Sequence, residues 1–256
     1  MHIVITGASS GIGEGLARHL GKPGRFLSLV ARRVDLLTEL AGQIPGETRV
    51  FQSDLSQTEQ SCNWLPDAIA AFGPVDVLIN NAGVQIVDPA TSISAEDGES
   101  LLRLNVMSPI RLAGEVARQM LEQGRGTIVN IASVAAITPT PFMAHYSASK
   151  AALAAYSEVL HDELAPAGVH VVTVYPGPVR TPMEQAARLK LTSGGKSNFV
   201  VGRIPTGTVE RLAVLVENAI QRRHRRVIYP SFYKVTWTFR GLSQWITNRF
   251  APRMPL

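Results

Sequence analysis

The sequence predicts an α/β fold in which helices cover both faces of a parallel sheet. Two observations carry this expectation. Short apolar runs alternate with longer helical patterns from the first residues onward. The short runs are also rich in Val and Ile and nearly continuous in hydrophobicity, as strands buried on both faces are. Strands are expected at 2–6, 26–31, 48–53, 75–79, 126–132, 169–175 and 227–229. Apolar periodicity places helices at 11–21, 34–43, 57–72, 95–123, 146–166 and 207–222. There is no internal repeat, and no shift of composition before about residue 190. Residues 1–230 therefore read as one domain, followed by a basic and aromatic tail at 231–256.

A chain of 256 residues can build one large core without disulfides. Its single cysteine, Cys62, rules out an internal disulfide framework and a Cys-rich zinc site, so no metal centre is expected. The same usage fits a reducing cytoplasm. The chain opens directly on a strand, Met1 to Thr6, with no charged leader, and no run of about 18 apolar residues suggests a membrane span. The net charge is +5, partly from a cluster of Arg222, Arg223, Arg225 and Arg226. Such a cluster can meet lipid, nucleic acid or phosphate, or can remain a solvated face. Without a nucleic-acid-binding motif beside it, the solvated face is the default and no nucleic acid partner is expected.

Taken in order, the first strand runs into Thr6-Gly7-Ala8-Ser9-Ser10-Gly11-Ile12-Gly13 and then a helix. Glycines at 7, 11 and 13 allow a tight turn and close backbone approach. The helix N-terminus offers free N–H groups to a pyrophosphate, which makes this a dinucleotide-binding turn. The second strand ends Ala31-Arg32-Arg33. A carboxylate there would accept a ribose 2′-hydroxyl, whereas guanidinium groups suit a 2′-phosphate, which favours NADP over NAD. Asp54 and Leu55, after the third strand, are expected along the adenine edge. The fourth strand ends Asn80-Asn81-Ala82-Gly83. Asn80 reads as structural, and Asn81, Ala82 and Gly83 as cofactor lining. Asn105, a mediocre helix former inside a long helical pattern, implies a specific buried partner.

The fifth strand delivers Ser133 at its carboxyl end, where open α/β sheets bind ligands. Tyr146 and Lys150 follow on a helix, one turn apart on one face. A lone Tyr and Lys at this spacing would be a surface pair. Behind a dinucleotide turn they read as a general acid/base, with the ammonium lowering the phenol toward neutrality. The sixth strand ends in the rigid turn Pro176-Gly177-Pro178-Val179-Arg180-Thr181. Residues 183–191 suggest a short helix and 192–198 a loop, together a substrate lid at about 183–205. Val84, Val134, Phe142, Met143 and Met183 outline an apolar pocket, although each alone would pass for core. In the tail, Trp237, Trp245 and other apolar residues alternate with Lys234, Arg240, Arg249 and Arg253. That pattern suits packing on the domain, a subunit contact or a membrane surface.

Together these motifs resemble the short-chain dehydrogenase/reductase family over roughly residues 2–182. The resemblance rests on Thr6-Gly7-x-x-x-Gly11-x-Gly13, Asn80-Asn81-Ala82-Gly83, Asn105, Ser133, Tyr146-x-x-x-Lys150 and Pro176-Gly177-x-Val179-x-Thr181. It implies a single-domain Rossmann fold with a doubly wound, seven-stranded parallel sheet. It also implies a catalytic tetrad of Asn105, Ser133, Tyr146 and Lys150. Cofactor contacts are expected from Gly7, Ser9, Ser10, Gly11, Ile12, Gly13, Arg32, Arg33, Asp54, Leu55, Asn81, Ala82 and Gly83. Tyr146, Lys150, Pro176, Gly177, Val179 and Thr181 complete that set. Ser133, Val134, Phe142, Met143, Tyr146 and Met183 would meet substrate. The cofactor implied is NADP, with NAD the alternative, and Arg32 aligns with the phosphate position ahead of Arg33. The expected partners are a carbonyl or secondary-alcohol substrate, preferentially hydrophobic, and further copies in a homodimer or homotetramer. The competing reading is a dinucleotide sensor or scaffold that keeps the fold without the chemistry.

Overall fold

A computed structural model describes residues 1–192 and 205–250. The strands β1 (His2–Thr6), β2 (Phe26–Ala31), β3 (Glu47–Gln52), β4 (Val77–Asn80), β5 (Gly126–Ile131), β6 (Val169–Pro176) and β7 (Arg226–Tyr229) pair in the order β3-β2-β1-β4-β5-β6-β7. Every pairing is parallel. The chain leaves β3 at one edge and returns to β4 on the far side of β1. That reversal opens a crevice at the carboxyl ends of β1 and β4.

The helices are α1 (Gly11–Leu20), α2 (Val34–Gly42), α3 (Leu65–Phe72), α4 (Ala95–Leu102), α5 (Ser108–Gln123), α6 (Ala144–Leu164), α7 (Pro182–Thr192), α8 (Val209–Arg222), α9 (Lys234–Thr238) and α10 (Arg240–Phe250). Alternation along β1 shows why both faces are covered. Ile3 and Ile5 join Leu16, Leu37 and Val216 of α1, α2 and α8 on one face. Val4 points the other way, to Ala68, Leu112 and Leu160 of α3, α5 and α6. Glu217 ties α8 to α1 and the turn after it, since His19, Lys22 and Arg25 converge on its carboxylate at 2.7–2.8 Å.

The expected strands all form, most of them within a residue of their predicted ends. Two helices depart from expectation. The stretch expected at 57–72 becomes helical only at Leu65, where Pro66 occupies the first turn and needs no N–H donor. Residues 57–64 are turns, closed in part by the Trp64 indole donating to Ser61 O at 2.7 Å. The helix expected at 95–123 is interrupted by a π-helical segment, Arg103–Met107. Pro109 has no N–H for the carbonyl of Asn105, so the regular ladder breaks there.

The arginine cluster is largely committed to the fold. Arg225 reaches Glu158 at 3.0 Å and Asp162 at 2.9 Å, and Arg226 donates to Glu158 at 2.7 Å. Arg226 also lies 4.9 Å from the Trp237 ring centroid, and Arg223 donates to Gly168 O. Trp237 in turn packs 5.2 Å from Tyr175 of β6, so α9 rests on the sheet. Of the expected lid, 183–192 lies within α7, and 193–204 lies outside the described residues. Residues 251–256 of the tail also lie outside them.

Candidate active site

The crevice at the strand ends holds about 620 Å³. Its floor is the glycine turn. Gly7 has φ +65°, and a Cβ there would stand 2.7 Å from Ala82 Cα. A Cβ on Gly13 would stand 2.3 Å from Gly7 O. Gly13 is not among the lining residues; it lets α1 sit against the turn, whereas Gly7, Ser9, Ser10, Gly11 and Ile12 line the crevice. Asn81 fixes the turn to β4 through its amide, which donates to Thr6 O at 2.9 Å and Gly7 O at 3.2 Å. The Thr6 hydroxyl accepts from the backbone N–H of Asn81 and of Ala82 at 3.0 and 3.1 Å.

Ser10 is the N-cap of α1, yet its side chain caps no helix N–H. Its hydroxyl accepts instead from Arg33 at 2.8 Å, and Ser9 accepts from the same guanidinium at 2.9 Å. Arg33 thus braces the outer side of the turn. Arg32 lines the crevice beside it, and among the described residues its guanidinium donates to no protein acceptor. Asp54 and Leu55 line the same end, with the Asp54 carboxylate turned partly to Ser56 N–H at 3.0 Å.

Asn80 is held behind the crevice by its amide nitrogen, while among the described residues its Oδ1 has no hydrogen-bond partner. Its amide donates to Asn130 Oδ1 at 2.9 Å, and the Asn130 amide donates to Ser157 Oγ at 2.8 Å. Asn105, buried in the π-helical segment, clamps the backbone of Val84 from both sides. It accepts from Val84 N–H at 2.9 Å and donates to Val84 O at 2.9 Å, with Ser149 Oγ at 3.0 Å as a further acceptor. Asn105 is therefore placed behind the wall, not on it. Gly83 lies between: a Cβ there would stand 3.0 Å from Asn105 Oδ1 and 3.4 Å from Lys150 Nζ.

Ser133, Tyr146 and Lys150 all line the crevice. Ser133 Oγ accepts from Ala135 N–H at 3.1 Å and donates to Pro176 O at 3.4 Å, so strand ends β5 and β6 orient it. Lys150 Nζ donates to Ile131 O at 2.8 Å and stands 6.0 Å from the Tyr146 ring centroid. Burial drives Lys150 toward its neutral form, lowering it from 10.5 to about 8. Burial pushes the Tyr146 phenol up, and a hydrogen bond with Ser133 opposes that rise. The expected lowering of Tyr146 by the ammonium is thus not what the protein groups produce. The reason is burial: desolvation dominates at the phenol, and the one opposing contact is the hydrogen bond with Ser133.

Pro176, Gly177, Val179 and Thr181 line the crevice at the end of β6. Val84, Val134, Met143 and Met183 supply apolar wall. Phe142 does not line it. Its φ of +68° turns the chain into α6, its carbonyl accepts from Asp88 N–H at 2.8 Å, and Met143 takes the inward position. Further lining residues carried no motif: Gln85, Thr138, Arg188, Tyr233 and Ile246. Tyr233 reaches the site because Gly177 has no side chain; a Cβ there would meet the Tyr233 ring at 2.5 Å. Among the described residues no cluster of His, Cys, Asp and Glu could hold a metal ion.

The protein groups fit a nicotinamide dinucleotide. A helix N-terminus without a side-chain cap, a cation at Arg32 and a buried amine with N–H bonds to spare lie along one crevice. The short chain dehydrogenase family model matches residues 1–192. A fatty acyl-CoA reductase of Mycobacterium tuberculosis is 40% identical over 187 residues, covering 71% of this chain and 64% of that one. A short-chain dehydrogenase from Sphingobium yanoikuyae in complex with NADPH superposes with a TM-score of 0.79 at 30% identity, covering 96% of this chain and 94% of that one. An NAD⁺-bound xylitol dehydrogenase superposes with a TM-score of 0.81 at 25% identity, covering 89% and 96%. Sequence, fold and crevice agree, and the chain belongs to the short-chain dehydrogenases, oxidoreductases that work with NAD(H) or NADP(H).

Proposed function

We propose that this protein transfers hydride between NADP(H) and a hydrophobic carbonyl or secondary alcohol. The observation that carries the reading is the convergence of Ser133, Tyr146 and Lys150 on one crevice whose substrate end is walled by Val84, Val134, Met143 and Met183. Arg32 supports NADP over NAD, being a cation without a protein partner among the described residues, just after β2, where a 2′-phosphate would lie. The relative bound to NADPH is consistent with that choice. A hydrophobic substrate agrees with the fatty acyl-CoA reductase among the relatives.

Bound nicotinamide supplies the hydride, and the chain does the rest. Ser133, held by the Ala135 N–H, would turn its one hydroxyl proton from Pro176 O, a long bond at 3.4 Å, to the carbonyl oxygen. Hydrogen bonds from Ser133 and Tyr146 stabilise the negative charge that develops there. Tyr146 Oη would give its proton to that oxygen, completing the alcohol and leaving the phenolate. Burial keeps the Tyr146 phenol protonated, the state from which it can donate. Lys150 has N–H bonds beyond the one to Ile131 O, and these would hold ribose hydroxyls. Asn105 acts as a positioning residue, fixing the wall through Val84. Domain 1–230 would carry all of this chemistry, closed by a lid that begins at α7.

A panel of ketones and alcohols, offered with NADPH and with NADH and followed by loss or gain of the reduced cofactor, tests the reading. Faster NADPH consumption with bulky apolar ketones is expected. Activity confined to NADH, or none with any carbonyl, contradicts it.

A further inference from the structure

We infer that α9 and α10 form a docking face for an anionic lipid surface, placed at the mouth of the crevice. Among the described side chains of this helix pair, most of the large apolar ones face solvent, Trp237 being the exception. Phe232, Val235, Phe239, Leu242, Trp245 and Ile246 point outward and are 45–62% exposed. The sides turned to the body carry Thr236, Ser243 and Gln244 beside the anchoring Trp237. Gln244 donates to Pro139 O at 3.0 Å, and Arg240 reaches Ala136 O at 3.5 Å. A helix pair held to the body by Trp237 and a few polar contacts, with most of its described apolar side chains in solvent, needs a further surface to cover them.

Charge selects the occupant. The described cations of this face are Lys234 and Arg240, and the sequence of the segment 231–256 contains no Asp or Glu. A second copy docked here by a two-fold axis would lay these cations against their own images with no carboxylate from either segment between them. Anionic headgroups complement them, and Trp and Phe suit the boundary between headgroup and acyl chain. Among the described residues no helix is long and apolar enough to cross a membrane, so the contact would lie in the plane of the surface.

The face adjoins the crevice. Ile246 of α10 and Met183 of α7 both line it while remaining 45% and 41% exposed. Docking would therefore bring the crevice mouth to the surface in which an apolar substrate partitions. That consequence rests on the carbonyl-reducing reading proposed above; the docking itself does not.

The test is co-sedimentation of the full chain, without cofactor or substrate, with vesicles of phosphatidylcholine alone and with phosphatidylglycerol added. Binding to the anionic vesicles is expected, weakening as salt is raised. Leu242→Ser combined with Trp245→Ser should lower partitioning about a hundredfold, and Lys234→Gln about fivefold. Both variants should keep wild-type turnover of a water-soluble ketone, which separates loss of docking from loss of fold or chemistry. Failure of the wild-type chain to bind anionic vesicles overturns the proposal. Binding that survives the paired Leu242 and Trp245 substitutions overturns it as well. So does a wild-type dimer that the same pair dissociates in the absence of vesicle binding, since the face would then belong to a second copy.

Discussion

Replacing Lys150 by Met should make the protein more stable and nearly inactive. Lys150 is almost wholly buried, and its amine falls from 10.5 to about 8 because burial penalises the ammonium. That drop corresponds to about 3 kcal/mol of folding free energy lost wherever the amine is charged in both states. Methionine removes this cost and leaves Ile131 O without its donor, which gives back about 1 kcal/mol. The net gain near neutral pH is about 2 kcal/mol, or about 5 °C in Tm for a chain of this size. The sign with pH follows from the same groups. Below about 8 both folded and unfolded chains hold the proton, so the wild-type cost is complete. Between about 8 and 10.5 the folded chain releases it first, and wild-type stability rises relative to the variant. Tyr146 is common to both proteins and cancels in the difference. Thermal unfolding of both chains from neutral to alkaline pH reads this directly. A Tm difference that stays constant across that range, or a variant less stable than wild type at neutral pH, refutes the reasoning.

Arg32→Ala should raise the Kd for NADPH by about ten- to a hundredfold, the worth of a charge-assisted hydrogen bond, and leave NADH binding unchanged; titration by protein fluorescence measures both. Gly13→Ala should destabilise the fold by about 1–3 kcal/mol, because its Cβ would press on Gly7 O at 2.3 Å between α1 and the turn; denaturant unfolding reads the loss. At Glu217, burial alone would raise the carboxyl, but hydrogen bonds from Lys22 and Arg25 hold it at about 2. Its folded value lies below the ordinary 4.5, so its contribution is complete above 4.5 and fades as pH falls toward 2. Glu217→Gln should therefore lower Tm at neutral pH and lose that disadvantage in acid.

The sheet was legible because parallel strands buried on both faces leave continuous Val- and Ile-rich runs, such as Ile3 to Ile5 and Val171 to Val174. The glycine turn, Ser133, Tyr146 and Lys150 were legible because each sits at a fixed place relative to a strand end. What escaped was decided by tertiary contact. Tyr233 and Ile246 reach the crevice only because the tail folds back across β6 onto Gly177 and the sheet. Phe142 looked like an apolar wall residue, yet a left-handed backbone swings it aside and puts Met143 in its place. The π-helical segment around Asn105 keeps helical apolar spacing, so periodicity passes through it. The electrostatics escaped for another reason: helical spacing places Lys150 near Tyr146, but does not reveal that a backbone carbonyl accepts a hydrogen bond from the amine and that burial governs both groups.

Tyr146 is the group that hands over the proton in the proposed reaction. The most direct measurement is single-turnover reduction of an apolar ketone by NADPH, comparing wild type with Tyr146→Phe, alongside NADPH binding to each. The account predicts turnover lower by about a hundredfold or more in the variant, with the NADPH Kd nearly unchanged. Wild-type turnover in the absence of that hydroxyl would contradict it.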